Sequence, residues 1–238
     1  MKNPVLLFIT LATIYVLLSC SKENEQPDLT PKSLDLSALA PEVIAYGNDF
    51  GVELFTKVAL EESDNFMLSP LSAGAALTML LNGCNGDTYD QLKGTLKYPG
   101  NITMSEINEV YKSLVAQLLV VDPKVKLALA NAIFYRLGFS VKAPFLNIMS
   151  TDFDAEVAGL DFDLPSALTA INRWASDNTN GKIPEVLNNI SPDAVMFLMN
   201  ALYFKGDWSY QFDKSLTSDR PFYTDGSTSV DVSTMKGD

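Results

Sequence analysis

The sequence predicts an α+β fold, and three observations carry that prediction. Helical periodicity dominates the first half of the chain. Strand-like runs gather mainly after residue 124 and are mixed with further helical stretches. Of the 238 residues, 47% are hydrophobic and 19% charged, enough to bury a sizeable core and too apolar for a disordered chain. Together these features predict one domain of about 200 residues.

The first helix is predicted over 41–60. Val43, Ile44, Gly47, Phe50, Leu54, Phe55 and Val58 fall on one face, and Pro41 suits a first helical position. Asp64-Asn65 reads as a turn, and 66–68 (Phe-Met-Leu) as a short apolar strand. Ser69 can cap the next helix, and Pro70 needs no amide partner at its first position. That helix is apolar almost all round, as a core helix should be, until Gly83 and Gly86 stop it. A short helix follows over 87–96, and Pro99-Gly100 breaks the chain. A further helix is predicted over 105–121, with a stripe through Ile107, Val110, Tyr111, Leu114, Leu118 and Val121, and Glu106 favours its start through the helix dipole.

Residues 124–136 carry β-favouring side chains and read as a strand. A short helix over 142–149 and a short strand over 154–158 come next. Leu164, Leu168, Ile171, Trp174 and Ala175 share one face of a helix over 164–178, which Gly181 ends. The run 194–204 is nearly continuously apolar, Asn200 excepted, and reads as a strand covered on both faces. Asp225-Gly226 between 220–223 and 227–233 is a hairpin signal. There is no internal repeat and no low-complexity segment.

Composition narrows function. The formal net charge is −12, so nothing offers a basic stripe to nucleic-acid phosphates, and the acidity reads as solubility. The chain has no histidine. Ser-His-Asp and Cys-His catalysis and His-based metal sites are thereby excluded within it. No carboxylate spacing points to an acid–base pair. Ser19-Cys20-Ser21-Lys22 formally reads S-x-x-K, but it straddles a predicted cleavage site. Asn101-Ile102-Thr103 and Asn189-Ile190-Ser191 are glycosylation sequons in form only. No catalytic residue, metal or cofactor is expected.

Residues 1–20 read as an export signal. Lys2 supplies a positive start, 5–18 are apolar apart from two threonines, and Leu17-Leu18-Ser19-Cys20 resembles the lipobox of bacterial lipoproteins. The resemblance implies cleavage before Cys20 and lipid attachment to it. The plainer alternative, a transmembrane anchor, needs a longer run of about 20 residues. Residues 21–40 begin polar, acidic and proline-containing, and read as a flexible tether. The same resemblance implies a lipid-anchored protein outside the cytoplasm, on the outer membrane or cell surface.

Five blocks in order resemble serpins. They are Asn65 to Ser72 (N-x-x-x-S-P-x-S), the glycine-punctuated turn from Asn82 to Thr88, and Leu129-Ala130-Asn131-Ala132-Ile133-Phe134. Ile171-Asn172-Arg173-Trp174 with Thr179-Asn180-Gly181-Lys182-Ile183 is the fourth, and Asn200 to Trp208 the fifth. The resemblance covers 41–238 and implies N-terminal helices packed on a large mixed or antiparallel sheet. It implies that Ser69, Ser72 and Asn200 lie where the central sheet opens, in the shutter, and that Trp208 lies at the top of the sheet, in the breach. Bottom-up, Ser69 and Ser72 read as a helix cap and a buried small residue. Asn131 and Asn200, in apolar strands, need hydrogen-bond partners.

The activity the resemblance implies is inhibition of a serine or cysteine protease by a cleaved loop that inserts into the sheet. The reactive loop, the C-terminal strands and the shutter histidine of serpins have no counterpart in residues 1–238, so this chain is expected to lack the bait for a protease and the strand beyond 194–204. The alternative is a non-inhibitory surface-binding lipoprotein on the same scaffold.

Overall fold

The computed structural model describes residues 29–208, 210–224 and 226–237. The chain divides into two units, Met1–Thr30 and Pro31–Asp238. Of the first, Leu29 and Thr30 are described, both exposed. The predicted signal and Cys20 lie outside the described residues.

In the second unit, α1 (Ala40–Glu61) opens with Pro41 and buries Val43, Phe50 and Gly51. It crosses α2 (Pro70–Leu81) at close range: a Cβ on Gly51 would stand 2.8 Å from Pro70 Cβ. Ser69 caps α2, its Oγ accepting from the Ser72 amide at 3.3 Å, while Pro70 fills the first turn. Helix α3 (Gly86–Thr95) is capped by Asn85. Helix α4 (Met104–Leu118) starts from a capping box in which Thr103 Oγ1 accepts from the Glu106 amide and Glu106 accepts from the Thr103 amide.

Strand β1 (Val125–Arg136) is the centre of a three-stranded mixed sheet ordered β2-β1-β3. Helix α5 (Ala143–Asp152) connects it to the parallel strand β2 (Ala155–Leu160). Helix α6 (Pro165–Asn178) and a long return segment lead to β3 (Met196–Gly206), antiparallel to β1. Strands β4 (Ser218–Tyr223) and β5 (Ser229–Thr234) form a separate antiparallel pair after a 3-10 turn at Lys214–Leu216.

Alternation along β1 and β3 sorts the core into two layers. Ala132, Phe134 and Ala201 meet Ala167, Ile171, Trp174 and Ala175 of α6, with Phe134 edge-on to Trp174 at 6.2 Å. Ile133 on the other face meets Met79 of α2, Met149 of α5 and Phe153. Burying each of these large side chains contributes roughly 1.5–3 kcal/mol.

Three sequence expectations are corrected. Residues 66–68 form no strand: no backbone hydrogen bond is made by them among the described residues, and Met67 is 98% exposed. An apolar run becomes a strand only beside a partner edge. Helix α4 starts at Met104, one residue earlier than expected, because Thr103 and Glu106 form a capping box that fixes the N-cap at Thr103. The double coverage expected along 194–204 holds only for part of β3. Its last residues, Phe204, Lys205 and Gly206, are exposed. At the predicted hairpin, β4 and β5 pair from Tyr223↔Ser229 outward, and Gly226 takes φ +83°, where a side chain would be strained. Among the described residues no helix is long and apolar enough to cross a membrane.

Candidate functional site

The polar residues singled out in the apolar strands meet across the β1–β3 ladder. Asn131 and Asn200 are directly opposite in the antiparallel register. Asn200 Nδ2 donates to Asn131 Oδ1 at 2.7 Å. Asn131 Nδ2 donates to the Phe153 carbonyl at 2.7 Å and to Tyr111 Oη at 3.2 Å. Asn131 is 3% exposed, so these bonds satisfy an amide that water does not reach. Burial pushes the Tyr111 phenol up, against the opposing pull of the Asn131 contact. The phenol therefore stays neutral and able to donate or accept. Asn200 Oδ1, by contrast, is a buried side-chain oxygen with no partner among the described residues. It is an acceptor desolvated without compensation, a condition that costs about 1–3 kcal/mol.

The other predicted residues make no hydrogen bond to this pair among the described residues. Ser69 Oγ donates to Ser72 Oγ at 3.1 Å and also accepts from the Ser72 amide, so these two form a helix-start knot. Helix α2 packs on β3, but no hydrogen bond links the serines to Asn200 among the described residues. Trp208 lies beyond the end of β3, 66% exposed and edge-on to Phe212 at 5.5 Å. Tyr111 and the Phe153 carbonyl were not foreseen. Their link to Asn131 depends on how α4 and the end of α5 fall against β1, and no local motif encodes that. Asn131 facing Asn200 is legible once the β1–β3 register is known.

Two surfaces surround this cluster. No strand pairs with the outer edge of β3 among the described residues. An apolar cavity of about 820 Å3 opens between α1, α2 and α4, lined by Phe50, Phe55, Leu68, Pro70, Leu114 and Leu118 among others. The 66–68 segment, without regular structure, contributes Leu68 to its lining. No group of three or more acidic or cysteine side chains is placed to hold a metal among the described residues. The arrangement offers hydrogen-bond acceptors, a strand edge and apolar volume, and no nucleophile–base pair.

The family signature of serpins, serine protease inhibitors, matches residues 45–238. This chain belongs to the serpin family. A serpin-like protein of Methanosarcina acetivorans is 30% identical over an alignment of 206 positions that covers 82% of this chain and 47% of that protein. The leukocyte elastase inhibitor of Sus scrofa is 35% identical over 193 residues, 78% of this chain and 50% of that one. Reactive-loop-cleaved human thyroxine-binding globulin superposes with a TM-score of 0.77 at 29% identity, over 83% of this chain and 60% of its own. The serpin fold is thus present in part: the chain spans about half the length of the curated relatives it matches. Its family is one of protease inhibitors, not of enzymes.

Proposed function

We propose that this chain is the N-terminal portion of an inhibitor of serine endopeptidases, with cysteine endopeptidases as a second target class. In the proposed mechanism the target protease attacks a reactive loop and forms an acyl-enzyme, and the loop then enters the sheet as a new strand. The observation that carries this reading is the outer edge of β3, which no strand pairs among the described residues, and the acceptor of Asn200, which has no partner among them. An added strand brings backbone amides to such an edge. The apolar cavity and the unpaired 66–68 segment favour the same view, since both offer surface to further polypeptide. Because residues 1–238 span about half the length of the curated relatives they match, they are proposed not to inhibit alone. Ser69, Ser72 and Asn200 are proposed as shutter residues and Trp208 as a breach residue.

The test uses a full-length serpin product that contains this chain, incubated with trypsin-, subtilisin- and papain-like proteases. An adduct that survives SDS is the expected result. Cleavage without any adduct overturns inhibition and favours the second reading, a non-inhibitory binding lipoprotein, to which the large apolar cavity lends support. Anchoring through lipidated Cys20, with 1–20 as signal, 21–40 as tether and 41–238 as serpin domain, belongs to both readings and rests on the lipobox-like Leu17-Leu18-Ser19-Cys20. Metabolic labelling with a fatty acid should mark the protein and fail to mark Cys20→Ser; equal labelling of the two would exclude that anchor.

A further inference from the structure

The return segment from α6 to β3 is fastened at both ends and in the middle by side chains. At its start Thr179 Oγ1 donates to the Ala175 carbonyl at 2.7 Å and accepts from the Ile183 amide at 3.0 Å. At its end Arg136, at the tip of β1, donates from Nε to the Ala194 carbonyl and from Nη2 to the Pro192 carbonyl, each at 2.9 Å. Its Nη1 donates to Asp163 Oδ1 at 2.8 Å. Between these ends lie residues 184–190, without regular structure and mostly exposed. Their backbone hydrogen bonds among the described residues all run to one side chain. Asn172 Oδ1 accepts from the amides of Val186 and Leu187, each at 2.9 Å, and Asn172 Nδ2 donates to the Leu187 carbonyl at 2.7 Å. Leu187 and Ile190 add apolar contact to the layer between α6 and the sheet.

We infer that Asn172 is the latch of a strap: residues 184–190 open and close on α6 as one local unit, and this single amide sets how often they are open. Fixed ends with one central fastening give a segment that lifts as a bulge without unravelling α6 or β3. Opening withdraws Leu187 and Ile190 and exposes apolar surface along α6. Segments with few buried contacts and side-chain-held backbone occupy the low-stability end of a fold. Asn172 is a positioning residue in this role, and the inference is independent of inhibition.

Hydrogen exchange on the full 238-residue chain, resolved to individual amides, tests it. Asn172→Ala should speed exchange of the Val186 and Leu187 amides at least about tenfold, with the β1 amides unchanged. Asn172→Asp keeps the acceptor for both amides and loses only the donor, so it should keep them protected. Acceleration spread equally into β1 would mean that Asn172 acts through global stability. That result, unchanged exchange at Val186 and Leu187 in Asn172→Ala, or an Asp variant as fast as the Ala variant, overturns the latch.

Discussion

Asn200 donates to Asn131 across the β1–β3 ladder at 2.7 Å, and the pair is unequal: both the oxygen and the nitrogen of the Asn131 amide are bonded, whereas Asn200 keeps one buried oxygen without a partner among the described residues. The two should therefore respond differently to truncation. Asn131→Ala strands the Phe153 carbonyl and the Asn200 amide together and is expected to cost about 2–4 kcal/mol. Asn200→Ala also removes the uncompensated acceptor and is expected to cost about 1 kcal/mol. Urea unfolding of both variants measures the difference; equal costs would contradict the asymmetry.

The α1–α2 crossing depends on a missing side chain. With a Cβ only 2.8 Å from Pro70, Gly51→Ala must push the two helices apart. A loss of about 1–3 kcal/mol is expected, with a correspondingly lower Tm. Gly47→Ala, on the same helix with nothing within 4 Å, serves as the control and should be neutral or mildly stabilising.

The start of α4 rests on reciprocal bonds between Thr103 and Glu106. Thr103→Ala removes the oxygen that satisfies the Glu106 amide and is expected to cost about 1 kcal/mol. Thr103→Ser keeps that oxygen and should recover most of the loss. Thermal unfolding of the two variants side by side decides the matter.

Glu53 gives the fold a dependence on acid. Hydrogen bonds from Lys97 and then Lys57 hold its carboxyl down at about 2. A group depressed in the folded state supports stability above its unfolded pKa of about 4.3. That support drains away as pH falls from there through about 2. Because the carboxylate is exposed, the effect is modest and salt-screened. Acid titration followed by circular dichroism should show a shallower loss below about pH 4.5 for Glu53→Gln than for the parent, and the gap should narrow in high salt.

Much of the framework was legible in sequence because local rules dictated it. Ser69 caps α2 and Pro70 opens it as their chemistry requires, and the apolar faces of α4 and α6 point inward as their spacing demands. One misreading came where a distant partner decides. Phe66, Met67 and Leu68 look like a strand, yet an apolar triplet cannot ladder against nothing. The start of α4 is decided locally instead: Glu106 accepts from the Thr103 amide and fixes the cap one residue before Met104. The site followed the same division. Asn131 and Asn200 stand out as polar breaks in apolar runs, whereas Tyr111 joins Asn131 through helix placement that no short motif records.

The position of β1 between a parallel and an antiparallel neighbour sets an order of assembly. Its parallel partner follows after one helix, with Asn131↔Ala155 opening the register. Its antiparallel partner arrives much later in the chain, the pairs running from Tyr135↔Met196 to Val125↔Gly206. Closing the longer loop costs more entropy before any contact rewards it. On a ribosome, β1 and β2 can join while β3 is still unsynthesised, leaving the Asn131 side of β1 waiting for the strand that completes it. Pulse-labelled refolding should find β2 amides protected before those of β3; simultaneous protection would place both pairings in one cooperative step.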